Sequence, residues 1–244
     1  MSQQTASVWG LGTDLPTKTT AQVIFNLPAG TTETDITDLV FPTLTTTKEI
    51  SLDMTNLSNT NTLRIYQKID GTNYKQAKEM TWPDDTNSTG NETIDEFLIG
   101  LGVDCKVTIQ SAVNEGGVNI PITVGDLFWS NRTTTQYIFN LPSGTSEQDI
   151  TDLVLPTATK NELTTGLDMS NVIQGGTLRA HRKVDTTNYR QIESWDWPDN
   201  NASPDNKVLQ NRLNGLGVGM KLTYQSDSDE GGISIPIAQG VYSF

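Results

Sequence analysis

The stretch Gln22-Val-Ile-Phe-Asn-Leu-Pro28 is written again as Gln136-Tyr-Ile-Phe-Asn-Leu-Pro142, 114 residues later (136 − 22). Asp35-Ile-Thr-Asp-Leu-Val40 returns at the same shift as Asp149-Ile-Thr-Asp-Leu-Val154. One inserted residue then moves the shift to 115, where Trp82-Pro-Asp84 recurs as Trp197-Pro-Asp199 and Glu115-Gly-Gly117 as Glu230-Gly-Gly232. A period this long exceeds the roughly 20 to 50 residues of solenoid repeats. Each copy is therefore expected to be a complete small domain with its own core. The predicted organisation is an N-terminal arm over 1–18, a first repeat over 19–126, a connector over 127–132, and a second repeat with a C-terminal tail over 133–244.

Within a repeat the apolar residues alternate. In Leu63-Arg-Ile-Tyr-Gln-Lys-Ile69, one face collects Leu63, Ile65, Gln67 and Ile69, and the other Arg64, Tyr66 and Lys68, which is the period of a half-buried strand. Asp70-Gly71 follows as a hairpin signal. The chain returns through Tyr74 to Trp82, where Pro83 stops it. Further strands are expected over 22–26, 36–41, 50–54, 105–110 and 118–122, the last two forming a hairpin around Asn114-Glu-Gly-Gly117. Pro121 cannot donate to a ladder, which places the last strand at a sheet edge or end. Residues 93–102 fit helical spacing through Ile94, Leu98 and Leu101, but strand-like neighbours favour a strand ending in a Gly-x-Gly bulge. Seven or eight short strands per copy predict an all-β chain, a tandem pair of antiparallel β-sandwiches of jelly-roll or immunoglobulin-like topology.

Composition narrows the function classes. Hydrophobic residues make up 34% of the 244 residues, charged residues 18%, and the net charge is −13. Phosphate binding needs clustered Lys and Arg, so neither nucleic acid nor an anionic membrane is an expected partner. The N-terminus carries neither a basic segment nor an apolar run of signal-peptide length, and no stretch approaches the roughly 20 apolar residues of a membrane span. Synthesis in a cytoplasm is the expectation. Cys105, the only cysteine, faces Met220 in the alignment of the copies and reads as a small core residue.

Catalytic signatures are sparse. His181 is the only histidine, and its counterpart in the first copy is Tyr66. A Ser-His-Asp or Cys-His triad would rest on His181 alone, and zinc sites built on His and Cys lack ligands. No phosphate-binding loop or dinucleotide fingerprint occurs. The sequence thus predicts no enzyme and no cofactor. Repeated carboxylates remain: Asp35 and Asp38 recur as Asp149 and Asp152, Asp84 as Asp199, and Glu115 as Glu230. Capping of backbone amides is the ordinary use of such residues, with Ca²⁺ binding and acid/base work as alternatives. Arg64 and Arg179 are expected to pair with a repeated Asp. Trp82 and Trp197 suit half-buried core, or else a sugar-binding platform. Outside the matched region lie Trp9 in the arm, Phe128 and Trp129 in the connector, and Tyr242 and Phe244 in the tail. Trp129 aligns with Phe244, and two uses stand open: each repeat closes with an aromatic over its own core, or these aromatics anchor a partner.

The run Leu63-Arg-Ile-Tyr-Gln-Lys-Ile-Asp-Gly-Thr-Asn-Tyr74, continued by Trp82-Pro-Asp84 and Lys106-Val-Thr-Ile-Gln-Ser-Ala-Val-Asn-Glu-Gly117, resembles β-rich repeats in uncharacterised structural proteins of tailed phages and archaeal viruses. The second copy carries Leu178-Arg-Ala-His-Arg-Lys-Val-Asp-Thr-Thr-Asn-Tyr189 and Lys221-Leu-Thr-Tyr-Gln-Ser226, with Thr186 in place of Gly71. The likeness covers most of each repeat and brings no catalytic residues. It implies a place in the virion as a capsid decoration, fibre or minor surface protein. Its partners would be capsid or other virion proteins, or further copies of itself in a homo-oligomer. Two other readings stand beside it: a carbohydrate-binding or adhesive module using Trp82, Trp197 and loop carboxylates, and a filament subunit whose arm completes a neighbour's sheet.

Overall fold

The computed structural model describes residues 17–82, 91–94, 98, 100–128, 132–158, 161–183, 187–198, 206–209 and 218–243. All regular structure in these residues is strand, and no helix among them is long and apolar enough to cross a membrane. The first repeat contains β1 (Thr17–Leu27), β2 (Thr34–Leu44), β3 (Thr47–Asp53), β4 (Asn61–Gln67), β5 (Lys75–Trp82), β6 (Asn91–Ile94), β7 (Val103–Ser111) and β8 (Val118–Phe128). The second contains β9 (Arg132–Leu141), β10 (Gln148–Ala158), β11 (Asn161–Asp168), β12 (Gly176–Lys183), β13 (Tyr189–Trp197), β14 (Asn206–Leu209), β15 (Val218–Ser226) and β16 (Ile233–Ser243).

Two four-stranded antiparallel sheets, β1-β8-β3-β6 and β2-β7-β4-β5, make the first repeat, and the second repeats that order as β9-β16-β11-β14 and β10-β15-β12-β13. In each repeat the first strand pairs with the eighth, the second with the seventh, the third with the sixth and the fourth with the fifth. A long hairpin wound up in this way is a jelly roll, and the immunoglobulin-like alternative is excluded by the strand order. The two sheets of the first repeat enclose one apolar core, with Phe25, Ile50 and Ile120 from one sheet meeting Ile36, Leu63, Cys105 and Ile109 from the other. A separate core in the second repeat is built on Phe139, Leu167, Met220, Tyr224 and Ile235. Cys105 is buried with its thiol pushed well up by loss of water, and Met220 holds the equivalent place.

β4 alternates buried and half-buried residues along its whole length, with Leu63, Ile65 and Gln67 inside. Ile69 lies past the end of that strand and belongs to a different cluster, with Leu101, Val103 and Ala238. Of residues 93–102, Thr93 and Ile94 end the short β6, Leu98, Gly100 and Leu101 lie outside any strand, and Gly102 takes a positive φ of 73° directly before β7, while 95–97 and 99 lie outside the described residues.

Pro121 also departs from the predicted edge position. β8 is an inner strand between β1 and β3, and Pro121 faces Ile24 of β1. The ladder to β3 ends one residue earlier, at Leu52 and Ile122, so the missing N–H falls where β8 has no neighbour on that side. Pro236 repeats the solution opposite Ile138, one residue beyond the Leu167–Ile237 pair. Strands also reach into the arm, connector and tail: β1 starts at Thr17, β8 runs to Phe128, β9 starts at Arg132 and β16 runs to Ser243.

Candidate functional site

The densest polar constellation covers the outer face of the β2-β7-β4-β5 sheet. The alternation that buries Leu63 and Ile65 turns Arg64 and Tyr66 outward, beside Lys106, Thr108 and Gln110 of β7. Glu33, immediately before β2, lies across them. Its carboxylate accepts from Arg64 Nη1 at 3.1 Å and Tyr66 Oη at 2.8 Å, and also from the Thr108 hydroxyl. Arg64 donates further to Glu79 at 2.7 Å and to Gln110 Oε1 at 2.8 Å. Burial and the Glu33 carboxylate push the Tyr66 phenol up to about 12, so it stays a neutral donor. Beside it, Lys106 donates to Asp35 at 2.7 Å and lies over the rings of Tyr66 and Tyr74.

The second repeat rebuilds this cluster. Arg179 reaches Gln225 at 2.9 Å and Glu147 at 3.7 Å, and Lys221 reaches Asp149 at 2.5 Å beneath the Tyr189 ring. His181 stands where Tyr66 stands. Its Nε2 lies 3.1 Å from Glu147 Oε1 and 3.0 Å from Thr223 Oγ1, and the Thr223 hydroxyl donates to the same Glu147 oxygen. An acid, an imidazole and a hydroxyl thus meet on this surface. The arrangement is not a nucleophile relay. A triad strings hydroxyl and acid on opposite ring nitrogens, whereas here both lie on Nε2 and the hydroxyl is already spent on the acid. Thr223 is 1% exposed, out of reach of a substrate, and the first repeat makes the same cluster with a tyrosine. Glu147 is partly desolvated, which acts against its charged form. The bonds from Thr223 and His181 outweigh this and hold the carboxyl below its usual range.

The repeated Glu-Gly-Gly turns act on the loops at one end of each sandwich. Glu115 accepts from the backbone N–H groups of Ser58 and Asn59 at 3.2 and 3.0 Å, and Glu230 from those of Ile173 and Gln174 at 3.3 and 2.7 Å. The preceding residue holds the turn after the first strand. Asn114 Oδ1 accepts from Gly30 and Gly116, and Asp229 Oδ1 from Gly144 and Gly231. Four loops are thereby tied by side chains that lie far apart in sequence.

The predicted site residues fall as follows. Asp35 and Asp149 hold lysines, and no group of three metal-binding side chains occurs among the described residues. Asp38 is exposed in β2, and Asp152 lies in β10. Asp84, Asp199, Trp9, Trp129 and Phe244 lie outside the described residues, while Phe128 and Tyr242 occupy the last turns of the ladder in β8 and β16. Trp82 and Trp197 are each 7% exposed and belong to the two cores. Buried rings offer no stacking platform, which removes the geometry that the sugar-binding alternative required of them. Arg64 and Arg179 pair with glutamates rather than the expected aspartates. Glu33 and Glu147 were the residues missed, although they recur at the same shift of 114 as the Asp pairs that follow them.

No protein-family model and no curated protein sequence matches the chain. Among solved structures, it overlaps the major capsid protein P2 of bacteriophage PM2 at 11% identity and a TM-score of 0.28, covering 91% of this chain and 98% of that one. It overlaps the tandem CBM22-1-CBM22-2 domains of Paenibacillus barcinonensis Xyn10C at 9% identity and 0.27, covering 93% of each. The glycosylasparaginase PNGase F of Flavobacterium meningosepticum overlaps at 12% identity and 0.30, covering 94% and 96%. At these scores none of the three decides between a capsid, a sugar-binding and an enzymatic role.

Proposed function

We propose that this chain is a non-enzymatic structural protein of a virus particle, a capsid decoration, fibre or minor surface protein that acts through protein–protein contacts. One observation carries the reading. The repeated polar side chains that chemistry could have used, Glu33, Tyr66, Glu115 and their counterparts, are each committed to tying strands or loops of their own jelly roll. Such a molecule offers shape and surface rather than a reactive centre, and jelly rolls serve that purpose in viral capsids. The repeat motifs that resemble phage and archaeal-virus structural proteins point the same way. Capsid or other virion proteins are the partners, with the aromatics flanking the repeats as anchors.

The test is co-expression with the particle proteins encoded beside its gene, followed by sedimentation. The chain is expected to travel with assembled particles, and a variant lacking residues 1–16, which precede β1, to bind them more weakly. A chain that stays at the top of the gradient while particles assemble normally would overturn the proposal. So would Ca²⁺-dependent capture on a glycan array.

A further inference from the structure

Ile69, Leu101 and Val103 are three large apolar residues of the first repeat that take no part in its core. They are between 0 and 4% exposed, and their cluster is completed by Ala238 of the second repeat. Gly166 forms the floor. A Cβ built on it would lie 2.7 Å from Leu101 Cδ1 and 2.9 Å from Ile69 Cδ1, so a larger residue here would push back the ends of both side chains. Gly102 comes equally close to Thr134 of β9. The end of the first jelly roll is thus seated on the outer face of the β9-β16-β11-β14 sheet.

The same face of the first repeat shows what this contact changes. There, β3 alternates buried with half-buried residues from Glu49 to Asp53, and in β8 Asn119 and Pro121 are exposed and Thr123 half-buried, as in a sheet with one free face. In the second repeat, Thr164 to Asp168 of β11 and Ile237 to Gly240 of β16 are buried without a break, because both faces are covered. The outward residues differ accordingly: Glu49, Ser51 and Thr123 in the first repeat correspond to Thr164, Gly166 and Ala238 in the second.

We propose that the junction is a one-sided socket: the second repeat is cut to receive the first, and Glu49, Ser51 and Thr123 block the same seat on the first repeat. The occupant is the first repeat of the same chain, since β8 ends at Phe128 and β9 starts at Arg132, and so short a tether makes intramolecular docking dominate. A heterologous contact that found an open seat on the next copy would grow a filament. This one stops after two jelly rolls, which leaves a single rigid block to meet its partners.

The full chain tests this by small-angle scattering, light scattering and urea unfolding. In Gly166→Ser/Ala238→Thr the radius of gyration is expected to rise, and the single unfolding transition to split in two, with the strand signal in circular dichroism retained. Should that variant fail to fold, Ile69→Ser removes one contact from the opposite side without entering either core and is expected to give the same two changes. Glu49→Thr/Ser51→Gly/Thr123→Ala opens the blocked seat to the end of another copy's second repeat, where Val218 stands at the place of Val103 and is only half-buried, and its mass should grow with concentration. Scattering curves of Gly166→Ser/Ala238→Thr and Ile69→Ser that match wild type would overturn the socket. A Glu49→Thr/Ser51→Gly/Thr123→Ala chain that stays monomeric would overturn the block.

Discussion

Asn61 in the first jelly roll and Gly176 in the second open the same strand, pair with the same serine position across the sheet, and solve the same packing problem with different atoms. In the first, the Asn61 side chain is buried, donates to the Asn59 carbonyl at 2.6 Å and accepts from Ser111 at 2.5 Å, with Ile109 two residues before that serine. In the second, the asparagine is gone and a fully buried Tyr224 replaces Ile109. Its phenol reaches so close that a Cβ on Gly176 would lie 2.4 Å from Tyr224 Oη. Space vacated by one side chain is taken by the other. A duplicated sandwich therefore keeps its strand order while its core is repacked pair by pair, as expected when total volume is what a core must keep.

The largest effects come from emptying either core. Trp82→Ala and Trp197→Ala each remove a ring that is 7% exposed, and each should cost about 3–5 kcal/mol in urea unfolding followed by circular dichroism. Equal costs would mark the two repeats as equivalent at this position. A loss below about 1 kcal/mol in either would show that its ring is not packed as described.

The Asn61/Gly176 exchange breaks the comparison more selectively. Gly176→Asn should destabilise by roughly 3 kcal/mol through overpacking, since its new side chain meets both Tyr224 and the Gln225 carbonyl. Tyr224→Ile alone leaves a cavity and should cost about 2–4 kcal/mol. The double variant restores the pairing used in the first repeat, and the two changes should couple favourably by about 1 kcal/mol or more in a double-mutant cycle. Strict additivity would refute the idea that the two residues share one space.

Much of this fold was legible because strands have a period of two. The alternation Leu63-Arg64-Ile65-Tyr66-Gln67 names both the core face and the polar network face, and Asp70-Gly71 names the hairpin, where Gly71 takes a φ of 74° and Asp70 accepts from the Thr72 and Asn73 amides. Strand order was not legible, because it depends on which edges meet in three dimensions. Ile69 was assigned to the core by the same alternation and instead fills the junction, since periodicity reports which side is apolar and not what covers it. The junction had one sequence signal, the change of Ser51 to Gly166 and Thr123 to Ala238 between otherwise similar strands. In the polar cluster, Glu33 and Glu147 precede their strands, outside the repeated segments 35–40 and 149–154 that drew attention to the Asp pairs.

The loop clamps should behave alike in the two repeats. Glu115→Ala and Glu230→Ala each orphan two backbone amides, and a loss of about 1–3 kcal/mol is expected for each. Hydrogen exchange should accelerate at Asn59 and Gln174 respectively while the core strands stay protected. Unchanged exchange at those amides would mean that water replaces the carboxylate without cost.

The smallest effect separates the two repeats by pH. Asp229 and Asn114 make the same two bonds, at 2.8 and 2.9 Å in the second repeat and 2.9 Å each in the first. Only the aspartate titrates. Its bonds from Gly231 and Gly144 hold the folded carboxyl below its ordinary value, outweighing slight desolvation. A carboxyl depressed in this way contributes stability above its unfolded pKa of about 4, and that contribution is lost as pH falls through the folded value. Acidification should therefore loosen the turn at Gly144 and leave the one at Gly30 in place. In an NMR titration the amide protons of Gly144 and Gly231 should shift with an apparent pKa below that of a free aspartate, and those of Gly30 and Gly116 should show no such step. Asp229→Asn copies the first repeat and should abolish the step with little change at neutral pH. A Gly144 amide that titrates like Gly30 would show that charge at this position adds nothing to the bond that asparagine already makes.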